Sequence, residues 1–145
     1  MQEPAMLINY KAVIVATVVS FIFGALWYMP LFGKAWATEM KMSMDQKPPA
    51  SAMIRGMIFM IIGNFLVAYV LAHNSEAWRH VPGMTEAAPA MFGFMGGFFT
   101  WLGFFLPQHL ARMAWENKSW KLFFINAGQH FFQLQIVAMI LAYWR

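Results

Sequence analysis

The sequence AVIVATVVSFIFGALWY at residues 12–28 contains no charged side chain and no strict alternation of polar and apolar residues. Three later stretches share this character: 56–72 (GMIFMIIGNFLVAYVLA), 87–106 and 122–144. All four lengths, from 17 to 23 residues, lie within the roughly 17–25 residues of a membrane helix. Backbone groups in lipid must hydrogen-bond within their own segment, which requires helices here. We therefore predict an all-α integral membrane protein, a four-helix transmembrane bundle forming one domain over residues 1–145.

The composition supports a membrane environment. Hydrophobic residues make up 61% of the chain and charged residues 11%, with a mean hydropathy of +0.52. Soluble domains are about 45–50% apolar and about 25% charged, so this chain has too few charges to cover a soluble surface. We expect the lipid bilayer as its main partner and no nucleic acid, although the net charge is +4. The absence of cysteine excludes disulfides and thiolate chemistry.

The basic residues predict an orientation in the membrane. Seven lie in or beside the connections between helices one and two and between helices three and four: Lys34, Lys41, Lys47, Arg55, Arg112, Lys118 and Lys121. The other three are Lys11, Arg79 and Arg145. Cytoplasmic loops carry an excess of lysine and arginine. We therefore predict that both basic connections are cytoplasmic and that both termini lie on the opposite side.

Several residues mark the expected ends of the helices. Pro30 is expected to end the first helix, and Pro107 to stop or kink the third. Ser51, Thr85 and Ser119 are candidate N-caps of the second, third and fourth helices. Aromatic-apolar-Pro sequences close helices one and three, which indicates a weak internal repeat of two hairpins.

The connection at residues 30–50 is long for a loop between helices. Trp36, Met40 and Met44 recur every four residues in it, among charged side chains. This spacing places the three on one helical face. We predict a short helix lying at the membrane interface.

The fourth helix carries a polar stripe. Asn126, Gln129, His130 and Gln133 follow the i, i+3, i+4, i+7 spacing of one helical face, whereas Gln135 points away from it. A polar stripe at this depth should face protein or water rather than lipid. The favoured interpretation is interhelical hydrogen bonding. The alternative is a ligand or proton site centred on His130. Asn64 on the second helix is the expected partner in either case.

The third helix carries a face of small residues, comprising Gly93, Gly96, Gly97, Thr100 and Gly103. Small residues allow close approach of helix backbones in lipid, and Gly93 and Gly97 have the small-xxx-small spacing. Packing inside the bundle is the favoured interpretation, and an oligomer interface is the alternative.

No catalytic or metal site is expected. Every Asp and Glu lies in a loop or tail by this reading, so no nucleophile, base and carboxylate can be combined within the membrane. The four histidines, His73, His80, His109 and His130, are predicted not to converge, and none has metal-ligand spacing with another. Met40, Met42 and Met44 resemble a soft-metal pattern, but methionine is abundant here and serves as apolar filler. We therefore expect no cofactor.

Three motifs resemble a known family. They are GALWYMPLFGKAW at residues 24–36, WENKSWKLFFINAG at 115–128 and ILAYW at 140–144. Together they resemble the small bacterial membrane proteins of domain-of-unknown-function family 1761. The resemblance implies a membrane fold and the bacterial cytoplasmic (inner) membrane, with the termini then periplasmic, and it implies no activity. Where the family often has Tyr, this chain has Gln129.

The function expected from the sequence is non-enzymatic. The glycine face, the Trp and Tyr residues near the expected ends of the helices, and the absence of catalytic carboxylates favour self-association into a homo-oligomer, or a role as an accessory subunit of a larger membrane complex. The alternative is a small transporter or channel that uses the polar stripe around His130.

Overall fold

The computed structural model describes residues 6–43, 45 and 47–144. Its α-helices are α1 (Tyr10–Leu26), α2 (Gly33–Glu39), α3 (Ala50–Arg79), α4 (Pro89–Thr100), α5 (Leu106–Glu116) and α6 (Trp120–Tyr143). Two π-helical turns, Trp27–Leu31 and Trp101–Phe105, extend α1 and join α4 to α5. Four helical segments are long and apolar enough to cross a membrane: Tyr10–Leu31, Ala50–Arg79, Pro89–Glu116 and Trp120–Tyr143. The predicted all-α, four-helix membrane fold is confirmed.

The second membrane segment extends well beyond its apolar run. The sequence predicts a helix over 56–72, whereas α3 covers 30 residues, a length of about 45 Å. This length matches the full bilayer with its headgroup regions, about 40–45 Å. The helix begins at Ala50, before Arg55, and ends at Arg79. It extends beyond the apolar run at both ends because backbone hydrogen bonds form equally well at the polar boundary of the membrane.

The third membrane segment continues through its proline. Pro107 lies in the first turn of α5, directly after the π-helical turn Trp101–Phe105. The helical hydrogen bonding is already irregular at that turn, so a residue without an N–H can be accommodated there. The helix therefore runs to Glu116 and ends at Asn117, which has a φ of 47°. Pro30 lies inside the other π-helical turn, Trp27–Leu31, about one turn after α1 ends.

One of the three predicted caps is confirmed. Ser119 Oγ accepts a hydrogen bond from the Leu122 N–H at 3.1 Å at the start of α6. The predictions for Ser51 and Thr85 are wrong. Ser51 lies inside α3, which begins directly after Pro49, and Thr85 Oγ1 instead donates to the Arg79 carbonyl at 3.0 Å.

The long first connection contains the short helix α2. Trp36 lies in α2, Met40 follows its last residue, and Met44 lies outside the described residues. The carboxylate of Glu39 accepts a hydrogen bond from Ser119 and lies 3.7 Å from Lys121 Nζ. These contacts attach α2 to the beginning of α6.

Helix α6 is the centre of the bundle, packing against α1, α3, α4 and α5. Asn9 Nδ2 donates to the Trp144 carbonyl at 3.5 Å, and Arg79 donates to the Leu141 carbonyl at 3.4 Å. The start of α1 and the ends of α3 and α6 therefore meet at one end, which we call the terminal end. The opposite end, with α2 and the start of α6, is called the basic end.

The apolar core fills the terminal half of the bundle. Its members are mostly small or branched residues of α1, α3 and α6: Ala12, Val13, Ala16, Ala68, Leu71, Ala72, Leu134, Val137, Ala138 and Leu141. The helices α3 and α4 follow each other in the chain, but they have few contacts with each other. One contact is the Arg79 guanidinium, which lies 4.6 Å from the centroid of the Phe92 ring.

Candidate functional site in the polar core

The polar stripe of α6 divides between two neighbours. At about 100° per residue, Gln129 and Gln133 lie on one edge of the stripe and Asn126 and His130 on the other. The two glutamines are 3% and 6% exposed, and they face α1 and α3. The other two face α5 and the π-helical turn after α1. The predicted stripe therefore forms two adjoining clusters rather than one site.

The first cluster is a chain of amides. Gln129 Nε2 donates to Gln133 Oε1 at 2.7 Å, and Gln133 Nε2 donates to Asn64 Oδ1 at 2.8 Å. The structure thus brings together Asn64 and the fourth helix, as the sequence predicts. Asn64 Nδ2 and Ser20 Oγ are buried and have no hydrogen-bond partner among the described residues. Such atoms are usually satisfied by water or another polar group.

The second cluster contains a pair of histidines. His109 Nε2 lies 3.1 Å from His130 Nδ1, so the prediction that the histidines do not converge is wrong for this pair. The reason is the path of the third membrane segment. The helix continues through Pro107 after a π-helical turn, and this carries His109, which is 6% exposed, against α6.

The proton positions in the pair follow from a neighbouring carbonyl. His130 Nδ1 is also 2.9 Å from the backbone oxygen of Asn126, and a carbonyl oxygen accepts but never donates. The Nδ1–H tautomer of His130 is therefore the neutral form that satisfies this oxygen. The same N–H can be shared with the lone pair of His109 Nε2. A proton added to His109 Nε2 would face the N–H of His130 Nδ1, so the two rings would have to move apart.

A tyrosine completes the second cluster. Tyr28, in the π-helical turn after α1, donates its hydroxyl to Asn126 Oδ1 at 2.8 Å. Phe105, in the other π-helical turn, lies with its ring centroid 5.0 Å from that of His130. Both π-helical turns therefore direct side chains at the same part of α6.

Two tryptophans anchor these turns to α6. Trp27 and Trp101 are the first residues of the two π-helical turns, and their indole N–H groups donate to the carbonyls of Ile125 and Ala127 at 3.0 and 2.9 Å. A repeat of two hairpins would instead direct Trp27 at α3. The first and third membrane segments share a tryptophan at the start of a π-helical turn. Both tryptophans contact α6, however, so their contacts do not follow the symmetry of such a repeat.

The glycine face of the third segment also divides. A Cβ atom at Gly97 would lie 2.9 Å from the Leu134 carbonyl, and one at Gly93 would lie 3.1 Å from the Ala138 carbonyl. These two residues therefore pack against α6 inside the bundle. A Cβ at Gly96 or Gly103 would meet nothing within 4 Å. Thr100 Oγ1 donates to the Gly96 carbonyl at 2.7 Å.

Several residues of these contacts were not predicted as site residues, among them His109, Tyr28 and Gln135. His109 and Tyr28 depend on the π-helical turns, which single-sequence periodicity does not reveal. Gln135, oriented with its amide oxygen toward α4, accepts from the Phe98 N–H at 2.9 Å. Because Gly97 has no side chain, the amide of Gln135 can reach the backbone of α4 at this point. Among the described residues, no third histidine, aspartate or glutamate joins the histidine pair to form a metal-binding group.

These features define a class of protein, a four-helix membrane bundle with a buried polar core in its basic half. The sequence pattern of a family described as "Protein of unknown function (DUF1761)" matches residues 11–142. The chain therefore belongs to this family, which confirms the resemblance of its motifs. No curated protein and no solved structure matches the chain.

Proposed function

We propose that this protein is a small, non-enzymatic membrane transporter that moves protons through its polar core. His109 and His130 take up and release them. The observation that carries the proposal is the 3.1 Å contact between the two rings within membrane-spanning segments. Ionisable residues inside such segments are rare and mark ion pathways and proton relays.

The amide cluster supports this role by contrast. Gln129, Gln133 and Asn64 already join α6 to α3 with uncharged groups, and hydrogen bonds of this kind suffice to hold membrane helices together. Histidine adds a side chain that can take up and release a proton. Helix packing alone does not need a proton-binding side chain, so the pair is better explained by proton transfer.

The two halves of the bundle support a gated pathway. Polar groups lie in the basic half, and the buried apolar cluster around Leu134 and Val137 closes the terminal half. Protons therefore reach the histidine pair from the basic end. A proton on His109 Nε2 faces the N–H of His130 Nδ1 and pushes the rings apart, which moves α5 relative to α6, and release to the other side requires the terminal half to open.

The test is proton flux in reconstituted vesicles. Purified protein in vesicles with an imposed pH gradient and an internal pH-sensitive dye should dissipate the gradient. His109→Ala and His130→Ala should each lower the rate to that of empty vesicles. His80→Ala is the matched control, because its side chain is 40% exposed outside the polar core, and it should retain the wild-type rate. Equal rates in wild type and both core variants would refute proton transfer through the pair.

Self-association, as a homo-oligomer or as an accessory subunit of a larger membrane complex, is the second candidate. Gly96 and Gly103 support it, since both leave open space beside the third membrane segment. Gly97 is not a suitable test position because it packs within the chain. Gly103→Leu should abolish any assembly seen by native mass spectrometry of gently extracted protein. An assembly that survives this change does not use the open glycine face.

The proposed setting is the bacterial cytoplasmic (inner) membrane with both termini periplasmic. It rests on the excess of lysine and arginine at the basic end. The protein is proposed to work without a cofactor and without nucleic acid.

A further inference from the structure

An apolar groove lies between α3 and α4, which have few contacts with each other apart from the Arg79 guanidinium, 4.6 Å from the centroid of the Phe92 ring. It has a volume of about 520 Å³ and is lined chiefly by Leu71, Trp78, Phe92, Phe99 and Phe104. Small-molecule sites in proteins have volumes of about 300–1,000 Å³ and mainly apolar linings. The groove shares no residue with the histidine pair or the amide chain, so it is independent of the proposed proton pathway.

We propose that this groove binds one hydrocarbon chain of a membrane lipid, inserted from the terminal end. An apolar space of this size within the hydrocarbon layer gives water few polar partners. The chains of the surrounding bilayer are the apolar material that borders it.

The dimensions of the groove fit a single lipid chain. Its lining on the third membrane segment extends from Phe92 to Phe104, about 18 Å at 1.5 Å per residue. One leaflet of hydrocarbon is about 15 Å deep, half of the bilayer core. At roughly 30 Å³ per non-hydrogen atom, the share of a water molecule in the liquid, the volume holds about 17 atoms.

A helix from a second copy fits the groove less well. A helix with its side chains is about 10 Å wide, so a helix of a second copy would pack across the groove rather than inside it. A second copy would therefore cover the opening and leave the interior unfilled. A flexible hydrocarbon chain can fill it.

The polarity of the groove gives the direction of the lipid. Asn74 and Ser75 are in the last two turns of α3, close to the terminal end, whereas Phe99 and Phe104 lie deeper. A lipid is polar at one end and apolar along its chain. The headgroup is therefore placed beside the loop between α3 and α4, with the chain directed toward Phe104.

The experiment compares lipid retention in two glycine variants. Gly96 lines the groove, and a Cβ there meets nothing within 4 Å, so Gly96→Phe fills the groove without a backbone clash. Gly63→Phe is the matched control, since Gly63 is equally open but does not line the groove. Each protein is reconstituted in vesicles of phosphatidylcholine and phosphatidylglycerol, re-extracted in mild detergent and measured by native mass spectrometry.

The expected result is one retained phospholipid on wild type and on Gly63→Phe, and none on Gly96→Phe. Circular dichroism checks that the variants are folded, and Gly96→Leu replaces Gly96→Phe if the larger side chain prevents folding. Equal lipid retention by wild type and the groove variant would overturn the proposal. So would a wild-type dimer without lipid that Gly96→Phe converts to monomer, which would assign the groove to a second copy.

Discussion

Neighbouring positions of one sequence pattern have opposite surroundings in this protein. Gly96 and Gly97 are adjacent members of the same small-residue face, yet only Gly97 lies against the backbone of α6. On α6, Asn126 and Gln129 belong to one polar stripe, yet they serve different clusters. The role of each residue therefore depends on the helix opposite, which composition and spacing do not identify.

We predict that Gly97→Ala destabilises the bundle and that Gly96→Ala does not. The new methyl group at residue 97 would lie 2.9 Å from the Leu134 carbonyl. Overpacking of this kind typically costs about 1–3 kcal/mol, which exceeds the gain in helix propensity of up to about 1 kcal/mol. Reversible unfolding in mixed micelles measures the difference. A Gly97→Ala variant as stable as Gly96→Ala would contradict the packing described for α4 on α6.

The amide chain gives a second prediction at single residues. A double-mutant cycle of Asn64→Ala and Gln133→Ala should show a coupling free energy of about 0.6 kcal/mol, the average for hydrogen bonds between membrane helices. The bond concerned is the 2.8 Å contact from Gln133 Nε2 to Asn64 Oδ1. The control cycle pairs Asn64→Ala with Asn126→Ala, which belong to different clusters, and should be additive. If the control coupling is as large as the first, the coupling between residues 64 and 133 does not measure this hydrogen bond.

At the scale of elements, the π-helical turns position the site. Each places a tryptophan against α6 and directs further side chains at Asn126 or His130. One additional residue in a helical turn rotates the following helix by about 100°. The turn Trp101–Phe105 thus changes which face of α5 is directed at α6, and His109 lies on that face.

We predict that Trp27→Phe and Trp101→Phe each lower the free energy of unfolding by about 0.5–1.5 kcal/mol. Phenylalanine keeps most of the aromatic contact but removes the indole N–H bond to the α6 carbonyl, and a typical hydrogen bond contributes this amount. Trp115→Phe is the control, because Trp115 is 89% exposed, and it should be neutral. The measurement is equilibrium unfolding in mixed micelles. Neutral changes at residues 27 and 101 would mean that the two bonds contribute nothing to stability.

At the scale of the whole molecule, the polar core and the apolar core lie in opposite halves of the bundle. The polar core lies toward the basic end, where Arg112 and Lys121 are located, and the apolar core toward the terminal end. Because of this asymmetry, the orientation in the membrane determines which side of the membrane the polar core is closer to. Under the proposed orientation and the proposed pathway, protons reach the histidine pair from the cytoplasm.

We predict that the two ends label from opposite sides of the membrane. The chain contains no cysteine, so Ser43→Cys in the first connection and Glu86→Cys in the loop between α3 and α4 each provide a single thiol at an exposed position. A membrane-impermeant maleimide added to intact spheroplasts should label Cys at residue 86 and leave residue 43 unlabelled until the membrane is opened. The reverse pattern would invert the topology, and labelling of both in intact spheroplasts would contradict an odd number of spans between them.

The sequence by itself determined the four membrane helices, the family, the cap at Ser119 and the polar character of α6, since hydropathy, length and capping are properties of local sequence. Only the tertiary structure decided that His109 meets His130, that Gly97 and not Gly96 packs inside the bundle, and that α3 and α4 leave a groove. These features depend on the rotation of one helix relative to another. Two π-helical turns and a proline within a continuing helix set that rotation. The resulting contacts form only when α6 packs against these segments.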